Sequence, residues 1–500
     1  SVAHRGQISP SIDTCNAGLL ITPGIGGADV WLFVATYTGA SLGGDPLTIL
    51  TLFGDTPKAL AVSPNGDTVY AAIFKSGNQT TVLHEEVVCN DGDIIPCQAD
   101  TNEQFSVGKL PPPTNKTISG VSQPEVGLIV KFDGSQWIDE LSRDWSNMVR
   151  FNLPDKDVFA IDANAETPVE LYSYANVGTV LFNMAVNPVS GRIYVANTEA
   201  INEVRFEGPG TTSTTVQGHL HEARITVIDP PGNVTPIHLN KHIDYSISPM
   251  PGGSEHSLAI PKGIAVTADG NKLYVVAKGS RKVGVFDTET LENNSFTPND
   301  SNHIFLSAGG PDGLLLDEAN NRLYVTTRFD NALSVIDTVS DSEIDHIGLH
   351  NPEPASVIAG RQFLYDATQT SSNGEASCAS CHVEGDKDEL AWDLGNPDDG
   401  VIDTQNPFTV GPFGNADFHP MKGPMTTQTF RGMDNHGPMH WRGDRSGANV
   451  GGDPLDEDLA FKEFNVAFEG LLGNFAPLQP EQMQAFTDFV LQITPPPNPI

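Results

Sequence analysis

One pattern constrains the fold of this chain more than any other: a hairpin that recurs four times within its first 350 residues. The copies are PKALAVSPNGDTVYAA from Pro57, FNMAVNPVSGRIYVAN from Phe182, PKGIAVTADGNKLYVVAK from Pro261 and PDGLLLDEANNRLYVTTR from Pro311. Each runs as an apolar strand, a polar turn with Gly or Asn, and a strand whose aromatic residue is flanked by β-branched side chains. Alternation and turn chemistry of that kind predict a β-hairpin. Three copies continue into a further strand ending in Asp: ARITVID, KVGVFD and ALSVID. Tyr70, Tyr194, Tyr274 and Tyr324 mark the copies, spaced 124, 80 and 50 residues apart. Those gaps fit a period of about 40–50 residues interrupted by insertions.

Repeats of that period built from three or four short strands predict a β-propeller over residues 1–350. VWLFVATYTG near the start, and GLIVKFDGSQWIDE through DVFAIDA, supply irregular blades, so that the total is expected to be about seven. Paired β-sandwiches are the alternative, and the regular recurrence argues against them. RKVGVFDTETLE and ALSVIDTVSDSE resemble YVTN-type propeller repeats, in which a strand ends in a V-I-D-T corner. That resemblance implies a scaffold and no particular chemistry, because propellers host lactonases, dehydrogenases and pure binding modules alike.

The net charge of -36 over 500 residues excludes two partner classes. Nucleic acid needs Lys and Arg for its phosphates, and anionic membrane surfaces need them too. Cationic partners, or contacts through local uncharged patches, remain compatible with it, and a salty habitat produces the same acidity. No apolar run reaches the roughly 18–20 residues of a membrane span. The 48 Gly and 37 Pro agree with many turns between short strands. An opening at Ser1 without Met or signal-like segment reads as a processed chain, expected in the periplasm or outside the cell. Among five Cys, Cys89 and Cys97 bracket a turn-rich loop that a disulfide would close, and Cys15 is left over.

From Pro354 the pattern changes, and residues 351–500 are expected to form an α-helical domain. Val357, Ile358, Phe363 and Leu364 have helical spacing. PLDEDLAFKEFNVAFEGLLG has acidic residues in its first turn, Gly at its end and a stripe of Phe464, Ala467, Phe468, Leu471 and Leu472. QPEQMQAFTDFVLQI is a further helix with Pro480 at its start.

Within this region stands GEASCASCHVEGD, residues 374–386. A C-x-x-C-H phrase is a covalent haem anchor, half a zinc site or a redox dithiol. Zinc needs a second ligand pair at finger spacing, and no other close Cys supplies it. A dithiol needs a βαβ context, and the surroundings are helix and loop. Haem attachment needs only two thioethers and one axial imidazole from adjacent residues, here Cys378, Cys381 and His382, and one haem c per chain is the expected cofactor.

The flanks carry a resemblance. GRQFLYDATQTSSNGEASCASCH resembles the start of the first haem domain of the bacterial dihaem cytochrome c peroxidase superfamily, and GPMTTQTFRGMDNHGPMHWRGDR resembles its later P-T-x-x-N…F-W-D-G-R segment, with Trp441, Gly443 and Arg445 in matching roles. The resemblance spans residues 361 to about 472 and implies a second haem domain beyond Ile500. It also implies a distal His before a K-G-P phrase, which puts His419 in the sixth position of the iron, off by one residue, with Met421 and Met425 as alternatives. His436, His440, Met433 and Met439 lie in the same stretch. A His–His pair lowers the potential and a His–Met pair raises it.

Arg431, Arg442 and Arg445 stand out in so acidic a chain, either as partners of haem propionates or as surface salt bridges. Trp441 packs on a porphyrin edge or fills core. The acidic run from Glu384 to Asp399 lacks EF-hand spacing, which favours a solvated loop over a calcium site. His219 and His221 form an H-x-H on an expected strand, where period 2 puts both on one face. A propeller position without function is favoured over a metal pair there.

Three functions follow as expectations. The first is electron transfer by an exported c-type cytochrome, with the propeller as docking or assembly platform for a redox partner protein. The second is a peroxidase-like dihaem oxidoreductase, which needs an open iron position and a second haem. The third has the propeller bind a substrate whose electrons pass to the haem.

Overall fold

The computed structural model describes residues 28–33, 46–88, 114–149, 153–208, 215–402, 418–440 and 442–496. Cys15, Cys89, Cys97 and Trp441, each singled out above, lie outside the described residues.

All four hairpins form. Strands β1 (Ala28–Leu32) and β2 (Thr48–Leu52) pair with each other. The first repeat is β3 (Pro57–Val62) with β4 (Thr68–Ile73). An insertion follows, made of β5 (Thr80–Leu83), β6 (Leu128–Phe132) and β7 (Trp137–Ile138), before β8 (Val158–Asp162) and β9 (Val169–Tyr174) complete the first sheet in the order β3-β4-β8-β9. Three further four-stranded meanders follow in plain chain order. They are β10 (Val180–Val186), β11 (Ile193–Ala200), β12 (His221–Ile228) and β13 (Val234–His238); then β14 (Pro261–Val266), β15 (Lys272–Ala277), β16 (Lys282–Asp287) and β17 (His303–Phe305). The last is β18 (Pro311–Asp317), β19 (Arg322–Thr327), β20 (Ala332–Asp337) and β21 (Ser342–Gly348).

Successive sheets pack through their first strands, β3 on β10, β10 on β14 and β14 on β18, as blades of a propeller do. Period-2 side-chain alternation explains why the strands read as continuous apolar runs. In β11, Tyr194 and Ala196 enter the core shared with the following blade, while Ile193 and Val195 enter the core shared with the preceding one. In β15, Leu273 and Val275 face backward and Tyr274 and Val276 forward. Each repeat tyrosine in these strands is therefore mortar between blades.

Two expectations are corrected. Among the described residues there are four four-stranded sheets, one three-stranded and two two-stranded, one of the latter pairing 391–392 with 425–426 after the repeats, short of seven regular blades. GLIVKF and DVFAID do not share a blade: the first lies in the insertion sheet and the second is the third strand of the blade begun at Pro57. A long insertion inside a blade mimics a blade of its own, because both present short apolar strands at similar spacing.

The region after 350 is mostly turns and short elements, not the helical domain expected. Helix α1 (Ala355–Tyr365) and a later helix (Pro480–Val490) have eleven residues each. Between them, α2 (Cys378–Cys381) is a single turn, and the run expected as one helix from 455 to 473 breaks into α3 (Glu457–Lys462), a 3₁₀ turn and α4 (Ala467–Gly470). Phe468 and Leu472 are buried as the stripe requires, and Phe461 joins them. Helix α5, as Pro480–Val490 is hereafter called, crosses α1 at Gly360, where a Cβ would stand 2.1 Å from the Ala485 carbonyl oxygen. Gly360→Ala is expected to lower stability by about 1–3 kcal/mol, the usual range for overpacking, with denaturant unfolding as the readout.

One core joins both parts of the chain. Phe74, Val180, Phe182, Leu220 and Ile260 of the propeller share a cluster with Phe363, Leu364, Phe461, Phe468 and Phe486. No helix among the described residues is long and apolar enough to cross a membrane.

Candidate functional site

The cysteine motif is held on the propeller by charge and hydrogen bonds. The first-strand lysine of one blade, Lys262, pairs with Glu384, two residues past the motif histidine, and with Asp312 at 3.0 Å, the equivalent position of the next blade. Lys278 reaches the same Asp312 carboxylate at 3.0 Å. Lys75 sits 3.5 Å from Glu389 and 3.7 Å from Asp386, whose carboxylate also takes Arg431 at 3.4 Å. Burial opposes the charge of Glu384, but Lys278 and Lys262 win and bring its pKa down to about 2. Glu384, Asp386, Glu389 and Asp393 of the acidic run are thus paired, not solvated, while Asp399 at its end is exposed. Asp388 and Asp393 are each only 1% exposed, and Asp393 accepts from Arg205 at 2.6 Å.

On the other flank, Glu375 is buried against the end of β13. It accepts from His238 Nε2 at 2.7 Å, Asn240 Nδ2 at 2.8 Å, the Ala223 amide at 3.0 Å and the Tyr245 hydroxyl. Burial pulls the His238 pKa down, yet the Glu375 carboxylate, aided by Glu222 and opposed by Arg224, leaves it raised. A group with a raised folded pKa stabilises fully below its unfolded value of about 6.5 and loses that contribution as pH rises through the folded value. Stability is therefore expected to decline as pH rises above about 6.5, and Glu375→Gln to flatten that slope in thermal unfolding series.

Between these anchors lies a cavity of about 760 Å³, within the roughly 300–1,000 Å³ range of cofactor pockets. Cys378, Cys381 and His382 line it, with Phe430, Phe461, Phe464, Phe468 and Phe486 as much of its apolar wall. At the start of α2 the Ser377 amide donates to Ser380 Oγ at 3.1 Å and the Ser380 amide donates back to the Ser377 carbonyl at 2.9 Å, which fixes the turn that presents the two sulfurs. The thiols are not joined to each other. Burial pushes Cys378 up to about 12 and, with Asp388 adding to it, holds Cys381 well above the ordinary thiol range. His382 Nδ1 donates to the Gln428 carbonyl at 2.7 Å, and the ring stacks on Phe430 with centroids 3.8 Å apart. That bond ties Nδ1 to the backbone, so Nε2 is the nitrogen with which this ring could ligate a metal. Burial lowers the His382 pKa to about 4, so the ring is neutral at physiological pH.

Other residues named from sequence divide between wall and support. Arg431 and Arg445 line the cavity. Arg442 does not: it pairs with Asp444 at 2.9 Å and donates to the His419 carbonyl at 2.9 Å. All three arginines have carboxylate partners, since Arg445 stands 3.9 Å from Glu463. Met425, Met433, His436, Met439 and His440 line the cavity, whereas His419 and Met421 are not among its lining residues. His419 Nδ1 instead accepts from the Met421 amide at 3.1 Å. His440 Nδ1 lies 2.6 Å from the Asp444 carboxylate, which orients its ring. Lys387, Trp392, Lys422 and Phe430 line the cavity too and carried no sequence signal, although Lys422 stands in the K-G-P phrase itself. Glu207 and Leu220 come from the propeller, so the wall is built by both parts of the chain.

No family model and no curated protein matches this chain. Among solved structures it is similar to the hydrazine synthase of Kuenenia stuttgartiensis, at 15% identity and a TM-score of 0.27 over 59% of this chain and 86% of that one. It is also similar to the periplasmic gluconolactonase of Pseudomonas aeruginosa, at 11% identity and 0.32 over 62% of each chain. The β-propeller domain of Cps50 from Myceliophteria thermophila matches at 10% identity and 0.29, over 60% of this chain and 58% of that one. Likeness at this level assigns no chemistry to the cavity.

Proposed function

We propose that this protein is an exported c-type cytochrome that transfers electrons through one covalently attached haem, with the propeller as its platform. The observation that carries the proposal is the C-x-x-C-H triplet on the wall of a phenylalanine-rich cavity of about 760 Å³, with the His382 Nδ1 already committed to the Gln428 carbonyl at 2.7 Å. The residues fit the group in kind: two sulfurs for thioethers, one neutral imidazole with Nε2 free, aromatic walls, and cationic side chains at Lys387, Lys422, Arg431 and Arg445 for carboxylates.

When bound, haem supplies a one-electron couple whose potential is set by its axial pair and surroundings. The chain does the rest. Cys378 and Cys381 fix the group's position, and the Gln428 carbonyl together with Phe430 holds the His382 ring in one tautomer and one plane. The aromatic wall excludes water and lowers the local dielectric, which raises the potential. Lys262 of the propeller holds Glu384 in the loop that follows His382, so the residues that would carry the haem are fixed on the platform.

Of the three side chains put forward from sequence for the sixth position, Met425 alone lines the cavity. Met425→Ala is expected to change the oxidised absorption spectrum and lower the midpoint potential, because a His–Met pair is lost, while His419→Ala leaves both unchanged. The function itself is tested on the full chain exported with haem-attachment machinery: a pyridine haemochrome of a dithioether haem and a reversible one-electron titration are expected. A protein with no haemochrome would end the reading, and a five-coordinate iron that consumes peroxide would replace the carrier with an enzyme.

A further inference from the structure

The first residue of β12, His221, is 1% exposed, and neither of its ring nitrogens has a hydrogen-bond partner among the described residues. Its ring lies 5.3 Å from that of Trp392. A buried polar group left unpaired costs about 1–3 kcal/mol, and native structures rarely tolerate one without a purpose. Burial, with His219 adding to it, lowers the pKa to about 3, so the imidazole keeps its lone pair. What it faces is a sulfur and a carboxylate: one donor atom each of His221, Cys381 and Asp388 lie within 4.8 Å of one another.

The carboxylate is already aimed. Asp388 Oδ2 accepts from the Trp392 indole at 2.9 Å and Oδ1 from the Leu390 amide at 3.0 Å. Metal-ligating carboxylates are oriented by outer partners of this kind. Thiolate, imidazole and carboxylate together are the donor set of zinc-class cations, and three protein ligands with one position open to a cavity is a known zinc arrangement. Cys381 lines the cavity, and so does Cys378, three residues earlier, which offers a further sulfur.

We infer that in the haem-free chain His221, Cys381 and Asp388 bind one thiophilic divalent cation of the zinc class, joining a propeller strand to the cysteine loop. Binding replaces the Cys381 S–H bond by an S–metal bond and releases the proton to solvent; no electrons move. A sulfur committed to a haem thioether has no thiolate to give, so the two occupancies exclude each other. The cation would occupy the thiol before haem is attached and shield it from oxidation. This inference does not depend on the haem reading, since it concerns the chain with free thiols.

The test uses the full chain made without haem-attachment machinery, kept reduced, stripped by a chelator and titrated with Co²⁺. Expected are one cobalt per chain, a thiolate-to-cobalt charge-transfer band, tetrahedral d–d bands, and displacement by Zn²⁺. His221→Ala is expected to weaken binding by more than about 100-fold, beyond what loss of an outer-shell partner costs, while His419→Ala does not. Should His221→Ala misfold by circular dichroism, Asp388→Asn and the protection of Cys381 from alkylation by Zn²⁺ in the unaltered chain read the same site. Absence of bound cobalt, a cobalt spectrum without the sulfur band, unaltered affinity in a folded His221→Ala or Asp388→Asn variant, or alkylation of Cys381 unaffected by zinc would each overturn it.

Discussion

Cys378→Ala combined with Cys381→Ala is expected to take covalent haem from about one per chain to none, because no other C-x-x-C-H exists in the sequence. Haem staining on a denaturing gel and the pyridine haemochrome both report it. The single variants are expected to differ from each other. Either one leaves a single thioether, which shifts the haemochrome band, but Cys381 also adjoins Asp388 and His221, so its loss disturbs the seam with the propeller as well. His382→Ala is expected to retain covalent haem while losing the low-spin spectrum, since the sulfurs and the axial imidazole do separate jobs. Retention of full haem content in the double variant would remove the basis of the proposed function.

Asp393→Ala is expected to cost about 3–5 kcal/mol of unfolding free energy, the range for breaking a buried ion pair by deleting one partner. The Arg205 and Asp393 side chains are each 1% exposed and meet at 2.6 Å. The guanidinium also donates to Gln123 Oε1 at 3.1 Å and to the Thr114 carbonyl at 3.2 Å. Deleting Asp393 takes a buried carboxylate away from a buried guanidinium. That is a large share of a domain stability of roughly 5–15 kcal/mol. Arg205→Met with Asp393→Leu removes both charges together and is expected to lose less than the single variant. Denaturant unfolding at constant m-value reads both. Because Arg205 follows β11 and Asp393 lies in the acidic run, the pair also ties the propeller to the segment after the cysteine motif.

Legibility in this chain followed the range of the interactions involved. The four hairpins were readable because strand alternation and turn chemistry act over a dozen residues, and all four formed with Tyr70, Tyr194, Tyr274 and Tyr324 in their second strands. The blade membership of DVFAID was not readable. Its partner β4 stands across an insertion, and local pattern carries no record of which strand is across the sheet. The helix expected over 455–473 had the right buried stripe and the wrong continuity. Apolar spacing survives a 3₁₀ turn at Glu463–Val466, and only packing decides where the turn tightens.

At the site the same division holds. Cys378, Cys381 and His382 were legible because all three fall within five residues of one another, and the structure puts all three on the cavity wall. Arg431 and Arg445 reached the cavity and Arg442 did not, although all three lie in one short stretch. Which side chains of a turn-rich loop point inward depends on positive-φ positions such as His440 and Gly443, whose conformation is set by bonds such as those to Asp444. The acidic run read as solvated because carboxylates usually are. Here Lys75, Lys262, Arg205 and Arg431, from distant strands and loops, converge on it.

The primary structure therefore determined what each short segment is: propeller hairpins from alternation, and a C-x-x-C-H phrase from spacing. Tertiary structure alone decided what they share. It brought His221 of β12 to the sulfur of Cys381 across 160 residues of chain, merged the propeller and the last third into one hydrophobic core, and turned His419 away from the cavity while leaving Met425 on its wall. The reason is physical. Pairings between distant segments depend on the total free energy of packing and charge burial over the whole chain, and that sum has no local signature in sequence.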